Sequence, residues 1–578
     1  MWALEGYDYK SIVQSKRAER TRLISAAPKS GSKQKAILSA GMTVLVDGIR
    51  NGEWTATEVL EAYIAQAVVA HEMTNCATEV LFDQALRTAR TLDEEFSSTK
   101  RLRGPLHGVP FSLKYNVARN FQVLVSGYDA TIGFTRWANR PATFNAAIVD
   151  QLLSLGAIPI IKTNVPQTMF SFECNNPLWG RTTNPYNSKY TCGGSSGGEG
   201  ALLAMDGAVF GVGTDSGGSL RMPAAYCGIY SLKPTSGRLS RYGACSPAPG
   251  FEAIDTVSGP LARSVEDLET FCRLMFGRPR LGFDGYPIPL SYREPKVINK
   301  LRIGYYTSDG LVRSSPANRR AVEEAVAALR KQGHECIEIE IPDATEAMEI
   351  FLGLTSADGY EKMTSHLGPD PMDKSLWLPV YSSRLPGFLR KLAVQVIKPF
   401  DAKFALLVGA IRKKSVREYN SYISKKNQWN TMFYKEVWDK HTLDGIIAPV
   451  QGLPQVPHGG AEDVGLLAIG TILYNVVDSP VGVLPVSHVD PSKDHLEDAW
   501  NTSRYGAVTV DHGLYKSKKP LYDPQGMAGM PIGIQVVGRK YEDEKVIAMM
   551  RILDQSLGSE RGFGPGILSA RLRASKDS

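Results

Sequence analysis

The chain has 578 residues, of which 43% are hydrophobic and 22% charged, an ordinary globular composition. Its net charge of +7 is mild for this length, and no dense Lys/Arg block with interleaved aromatics occurs, which argues against nucleic-acid binding. The seven cysteines are scattered and lack metal-ligand spacing, which argues against a disulfide framework and for a reducing compartment. Residues 1–30 are too polar for a signal peptide, and no apolar run reaches the ~18 residues of a membrane span. The expected location is intracellular, cytoplasmic or peripheral on a membrane, and not secreted.

Residues 1–36 are basic and loosely periodic, and read as a helical N-terminal extension packed on the core. Residues 44–69 and 80–96 carry apolar side chains at helical spacing, with Thr55 or Thr57 placed to cap the helix after Gly52. Short apolar runs bounded by Gly or Pro predict strands at 109–113, 158–161, 209–212, 301–306, 337–341, 445–448, 482–485 and 532–537. Helical patterns at 142–155, 264–276, 318–332 and 542–557 separate most of them. Buried strands alternating with helices predict an α/β fold: a large, mixed, mostly parallel twisted sheet with helices on both faces. One domain is expected over 37–560, with a tail at 561–578. Residues 486–525, rich in Asp, His, Lys and Ser, read as an exposed insertion before the last strand.

Residues 385–414 form a basic amphipathic segment. Phe388, Leu392, Val396, Phe400, Phe404 and Leu407 recur at helical spacing among Arg390, Lys391, Lys398 and Lys403. Asp401 is its only acid, and Pro399 should divide it into two helices. Such a pair can lie in a membrane interface, or pack over an active site or at a homodimer interface, and the sequence leaves these open.

The chemistry concentrates between Thr191 and Gly237. Gly193-Gly194-Ser195-Ser196-Gly197-Gly198 is followed by Gly213-Thr214-Asp215-Ser216-Gly217-Gly218-Ser219-Leu220-Arg221 and by Lys233-Pro234-Thr235-Ser236-Gly237. Glycines flank serines here, so backbone N–H groups can approach a ligand closely and form an anion-binding concavity beside a hydroxyl. Apolar residues such as Val209, Phe210 and Val212 between the glycines distinguish the block from a flexible linker. Upstream, Lys114 ends the apolar run Val109-Pro110-Phe111-Ser112-Leu113. Burial there disfavours the ammonium form, and a neutral lysine can act as a general base.

These motifs, in this order and spacing, resemble the amidase signature family over residues from about 40 to about 556. Residues 167–178 look most like fungal acetamidase-type enzymes and fatty acid amide hydrolase. The resemblance implies Ser219 as nucleophile, Ser195 as the bridging serine that also contacts substrate, and Lys114 as the base. It implies a cis Gly194–Ser195 bond. It makes the N–H groups of Ser216, Gly217, Gly218 and Ser219 the oxyanion hole, and Met169 a substrate contact, with plain packing as the alternative for Met169. Asp215, Arg221 and Ser196 read as supports of the loop, His107 as a structural histidine and Cys192 as a packed thiol. Tyr115 stands where the family commonly has an acidic residue.

The expected reaction is hydrolysis of linear, non-peptide carboxylic amides to acid plus ammonia or amine, through an acyl-enzyme. Neither a metal nor an organic cofactor is expected, and the expected partner is a small-molecule amide. Three other readings stand beside it: an amidotransferase A-type subunit, an α/β-hydrolase-type esterase using Ser195 in a Gly-x-Ser-x-Gly elbow, and a catalytically dead lipid-binding protein. The esterase reading leaves Lys114 and the Ser219 loop without a role.

Overall fold

The computed structural model describes residues 8–28, 31–114, 126–243, 247–278, 287–295, 300–498, 500, 505–558, 561–568 and 570. Tyr115 lies outside them. Eleven strands form one sheet: β1 (Ala77–Val80), β2 (Pro110–Lys114), β3 (Ile158–Thr163), β4 (Phe210–Asp215), β5 (Tyr230–Lys233), β6 (Val257–Ala262), β7 (Arg302–Tyr305), β8 (Glu335–Glu338), β9 (Gly445–Pro449), β10 (Val481–His488) and β11 (Pro531–Val537). Their spatial order is β1-β3-β2-β4-β6-β5-β10-β11-β9-β7-β8. The parallel pairs predicted by strand–helix alternation occupy two wings, β3-β2-β4 and β9-β7-β8. Antiparallel pairs join the wings through β6, β5, β10 and β11.

β2, β3, β4, β9 and β11 are buried along their whole length, on both alternating faces. That is why the sequence shows continuous apolar runs there rather than an inside–outside alternation. The eight strands read from sequence all have counterparts, although the one read at 337–341 is β8, at Glu335–Glu338, and shares only two residues with that reading. β1, β5 and β6 were not among them. β6 contains Gly259 and Pro260, which disguise it as a loop.

The long helical pattern at 44–69 is two helices, Met42–Asn51 and Ala56–Thr74, separated where Gly52 takes φ 76°. Thr55 caps the second in a reciprocal capping box with Glu58. The N-terminal helix α1 (Tyr9–Ser25) is pinned to the core by charge. Arg17 donates to the carbonyls of Leu178 and Pro177, Arg20 donates to that of Ala77, and Lys16 pairs with Glu79 and Asp129.

The expected exposed insertion at 486–525 is corrected. Val489, Trp500, Leu514, Tyr515 and Tyr522 are buried, and Asp494 is wholly buried in an ion pair with Arg320. Its polar composition hides a chain of aromatic anchors, Trp500 packed edge-on against Tyr515 and Tyr515 against Tyr522, with Arg313 over the Trp500 ring. The tail is likewise partly docked, with Phe563 and Leu568 buried.

Four more helices matter for the site. They are α2 (Gly197–Ala204), α3 (Arg221–Cys227), α4 (Ala344–Thr355) and α8 (Ile469–Val476). The segment expected to be a basic helical cap is α6 (Gly387–Ile397) and α7 (Ala402–Ala410), preceded by α5 (Trp377–Arg384). The break falls at Pro399, as read, and Asp401 accepts from the Phe404 N–H to cap α7 at 2.9 Å.

Candidate active site

β3, β2 and β4 run parallel, so their carboxyl ends lie on one edge of the sheet, the usual place for ligands in α/β folds. Lys114 is the last residue of β2 and Thr214 the penultimate residue of β4. The register that pairs Leu113 with Val212 brings their side chains together. The Lys114 amine lies 2.7 Å from Ser195 Oγ, 2.9 Å from Thr214 Oγ1 and 3.1 Å from the Thr214 carbonyl oxygen. Lys114 is 1% exposed, and burial pushes its pKa down to about 7, against the opposing pull of Asp215. The carbonyl can only accept, so Lys114 donates to it. A neutral amine then keeps its lone pair for the Ser195 hydroxyl proton.

Ser195 follows a cis Gly194–Ser195 bond, as the resemblance implied. Ser196 sits next to it, and its N–H donates to the Ser219 carbonyl at 3.2 Å. Its Oγ lies 3.5 Å from the Thr214 carbonyl, so it ties together the loops that carry Ser195, Ser219 and the Lys114 partner.

The loop from Ser216 to Ser219 is folded around Asp215. Asp215 Oδ1 accepts from the Gly218 N–H at 2.8 Å, and Oδ2 accepts from the Leu220 N–H at 3.1 Å. Arg221 grips both oxygens at 3.0 Å and reaches on to the Thr471 carbonyl, Gln535 and Asn475. Both side chains are wholly buried. Burial pushes the Asp215 carboxyl up, but Arg221 beside it wins and holds it well below the usual carboxylate range. Asp215 and Arg221 thus hold the loop between them.

Of the four N–H groups expected to form an oxyanion hole, one is already engaged within the protein. The Gly218 N–H is engaged by Asp215, whereas no described residue accepts the N–H groups of Ser216, Gly217 and Ser219, and these three line the cavity. Glycine at 218 is required by its own backbone and by the helix packed against it. Gly218 has φ 118°, and a Cβ there would fall 2.2 Å from Thr471 Oγ1. A Cβ on Gly217 would meet nothing closer than 3.5 Å.

Two cavities meet at Ser219. One, of about 280 Å³, opens on Ser195, Thr214 and Ser219 and is bordered by Thr256, Asp358 and Tyr419. The other, of about 390 Å³, is lined by Met348, Leu378, Ile397, Phe404, Leu407 and Ile411, from α4, α5, α6 and α7 and from the residue after α7. Met169, Phe170 and Phe351 line both. Met169 also packs against a satellite apolar cluster, so its side chain both lines the cavity and fills the packing around it. Thr168 and Met169 both adopt left-handed backbone, φ 66° and 58°, which turns this segment toward the cavity.

His107 is buried away from these groups, its Nδ1 accepting the Arg103 N–H, and burial lowers its pKa. Cys192 is a buried free thiol whose pKa burial pushes well up. Sequence reasoning missed Thr214, Thr471, Asn475 and Glu199. Thr214 sits inside the quoted motif, and its neighbourhood to Lys114 follows once the two strands are paired. Thr471 and Asn475 come from α8, more than 250 positions away from their partners, and carry no local signal.

A hydroxyl beside free amide donors, next to a serine held by a buried lysine, is the equipment of a hydrolase that attacks a carbonyl carbon. The chain belongs to the amidase family, which matches residues 58–547. It is 32% identical over 558 residues to fatty acid amide hydrolase 1 of Caenorhabditis elegans, across 94% of this chain and 93% of that one. It is 33% identical over 566 residues to acetamidase of Emericella nidulans, across 95% of each. A solved structure of fatty acid amide hydrolase superposes with a TM-score of 0.78 at 26% identity, covering 97% of this chain and 92% of that one. The chain is an amide-hydrolysing enzyme of the amidase signature type.

Proposed function

We propose that this enzyme hydrolyses linear amides with an extended apolar acyl group, through an acyl-enzyme on Ser219. Neutral Lys114 takes the proton of Ser195 Oγ as Ser195 takes that of Ser219. Ser219 attacks the carbonyl carbon, and the charge on its oxygen is met by the N–H groups of Ser216, Gly217 and Ser219. Collapse of the tetrahedral intermediate breaks the C–N bond while Ser195 returns a proton to the departing amine. Water then releases the acid by the same route. The 2.7 Å contact of Lys114 with Ser195 supports the relay.

The single observation that carries the substrate class is the apolar arm walled by Ile397, Phe404, Leu407 and Ile411. A short acyl group would leave that arm unfilled. The other arm, whose largely apolar lining is broken by Thr256, Asp358 and Tyr419, is left for the amine portion. The same cap helices turn an apolar face outward: Leu378 is 59% exposed, Phe388 72% and Phe400 76%, with Trp377 and Tyr381 in edge contact beside them. Aromatic and aliphatic side chains among Arg390, Lys391 and Lys398 favour docking at a lipid interface, from which a long acyl amide could enter directly.

The test is a series of matched amides with acyl chains from two carbons upward, compared by kcat/KM. A rise with chain length supports the reading. A preference for acetamide-like substrates overturns it in favour of a short-chain amidase.

A further inference from the structure

Glu199 is wholly buried one turn into α2, and neither the loop nor the triad uses it. Ser196-Gly197-Gly198-Glu199 has the spacing of a capping box, in which the acid would reach back to the helix start. It does not do so here. Its carboxyl instead points into the sheet, accepting from Ser112 Oγ at 2.5 Å and from Thr163 Oγ1 at 2.6 Å. Ser112 is two residues before Lys114 on β2 and therefore on the same face. Thr163 is the register partner of Lys114 on β3. β4 makes room on the third side, since a Cβ at Gly211 would fall 1.8 Å from Glu199 Oε2. Three adjacent strands thus form a socket for one carboxyl group beside the base.

We propose that Glu199 is a positioning residue for Lys114: a buried carboxyl whose charge interacts with the amine and sets the pH at which the base becomes free. This rests on Lys114 being the base. Burial pushes the Glu199 carboxyl up to about 7, against the hydroxyls of Ser112 and Thr163 and the charge of Lys114, so both groups change charge in the same range. The other titratable groups facing the pair are Asp215 on β4, kept anionic by Arg221, and the buried thiols of Cys76 and Cys174. An anionic Glu199 favours the ammonium. Removing that charge frees the amine at lower pH.

The experiment is kcat/KM against pH for one soluble anilide with the full-length enzyme, Glu199→Gln and Ser112→Ala, with Lys114→Ala in parallel. In Glu199→Gln the acid limb should move down by about one pH unit, the low end of what an opposite charge does to a neighbouring group. Ser112→Ala takes a donor from the carboxylate and should move the limb the same way by less, so the proposal does not depend on one variant folding. A uniform fall at every pH with the limb unmoved, in whichever variant folds, marks a merely structural carboxyl and overturns the proposal. If Lys114→Ala keeps the parental limb, the base assignment itself fails and takes this proposal with it. An inactive Lys114→Ala beside an unmoved limb overturns Glu199 alone.

Discussion

Lys114 and Thr214, the last residue of one strand and the penultimate residue of its neighbour, meet through two contacts: the lysine amine lies 3.1 Å from the threonine carbonyl and 2.9 Å from its hydroxyl. The carbonyl fixes one N–H, and the remaining direction faces Ser195. The amine is therefore aimed before substrate arrives, so its protonation state rather than its position governs activity.

Activity should accordingly rise with pH through about 7, as Lys114 loses its proton. Lys114→Ala should lower amide turnover by ~100- to 10,000-fold, the range of a general base. A matched ester should suffer less, because an alkoxide needs less protonation to depart than an amine. The same shift has a stability consequence. In the unfolded chain Lys114 titrates near 10.5, so the unfolded state binds more protons from about 7 to 10.5, and this group's contribution to stability rises with pH across that window. Lys114→Met should melt above the parent at pH 6 and converge toward it near pH 10, read by Tm at each pH.

Ser219, not Ser195, should carry the acyl group. Of the two serines only Ser219 lines both cavity arms, and only Ser219 lines the arm that also holds Ser216 and Gly217. A fluorophosphonate probe followed by peptide mass mapping should place the adduct on Ser219. An adduct on Ser195 would revive the elbow-type esterase mechanism.

Asp215→Asn should destabilise the protein by ~3–5 kcal/mol, the usual cost of leaving a buried guanidinium without its partner. Arg221 is wholly buried and would keep Thr471, Gln535 and Asn475 but lose its counter-charge. The denaturation midpoint checks this.

Thr471→Val removes the 2.7 Å hydrogen bond to the Gly217 carbonyl and should cost about 1 kcal/mol of stability. Because that bond holds the oxyanion loop, kcat should fall with KM nearly unchanged. A change in KM alone would show that the loop is fixed without it.

The cap helices should divide into two functions. Phe388→Ser with Phe400→Ser should weaken binding to anionic liposomes while sparing turnover of short soluble amides, since both side chains point outward. Phe404→Ser with Leu407→Ser should instead lower the ratio of long-chain to short-chain turnover, since both line the apolar arm and Leu407 is buried. If the two pairs behave alike, the cap acts as one packing unit.

The sequence alone marked Lys114 and the loops of Ser195 and Ser219 as the candidate site, by residue type (glycines at tight backbone, serines at the lip, a lysine closing an apolar strand), while the role proposed for each came from the family resemblance. It also located eight strands, most of them because strands buried on both faces are written as continuous apolar runs. The tertiary structure decided the rest. Asp215 and Arg221 are held by Thr471, Asn475 and Gln535 from α8 and β11, contacts that span 250 to 314 positions and leave no periodic trace. Glu199 reads in sequence as a helix cap and becomes the neighbour of the base only when β2, β3 and β4 lie side by side. The cap segment showed its amphipathic pattern, yet which apolar residues face the cavity and which face outward depends on how α7 packs against α4 and α6 against α7. A pattern can say that a face is apolar. Only packing decides what that face meets.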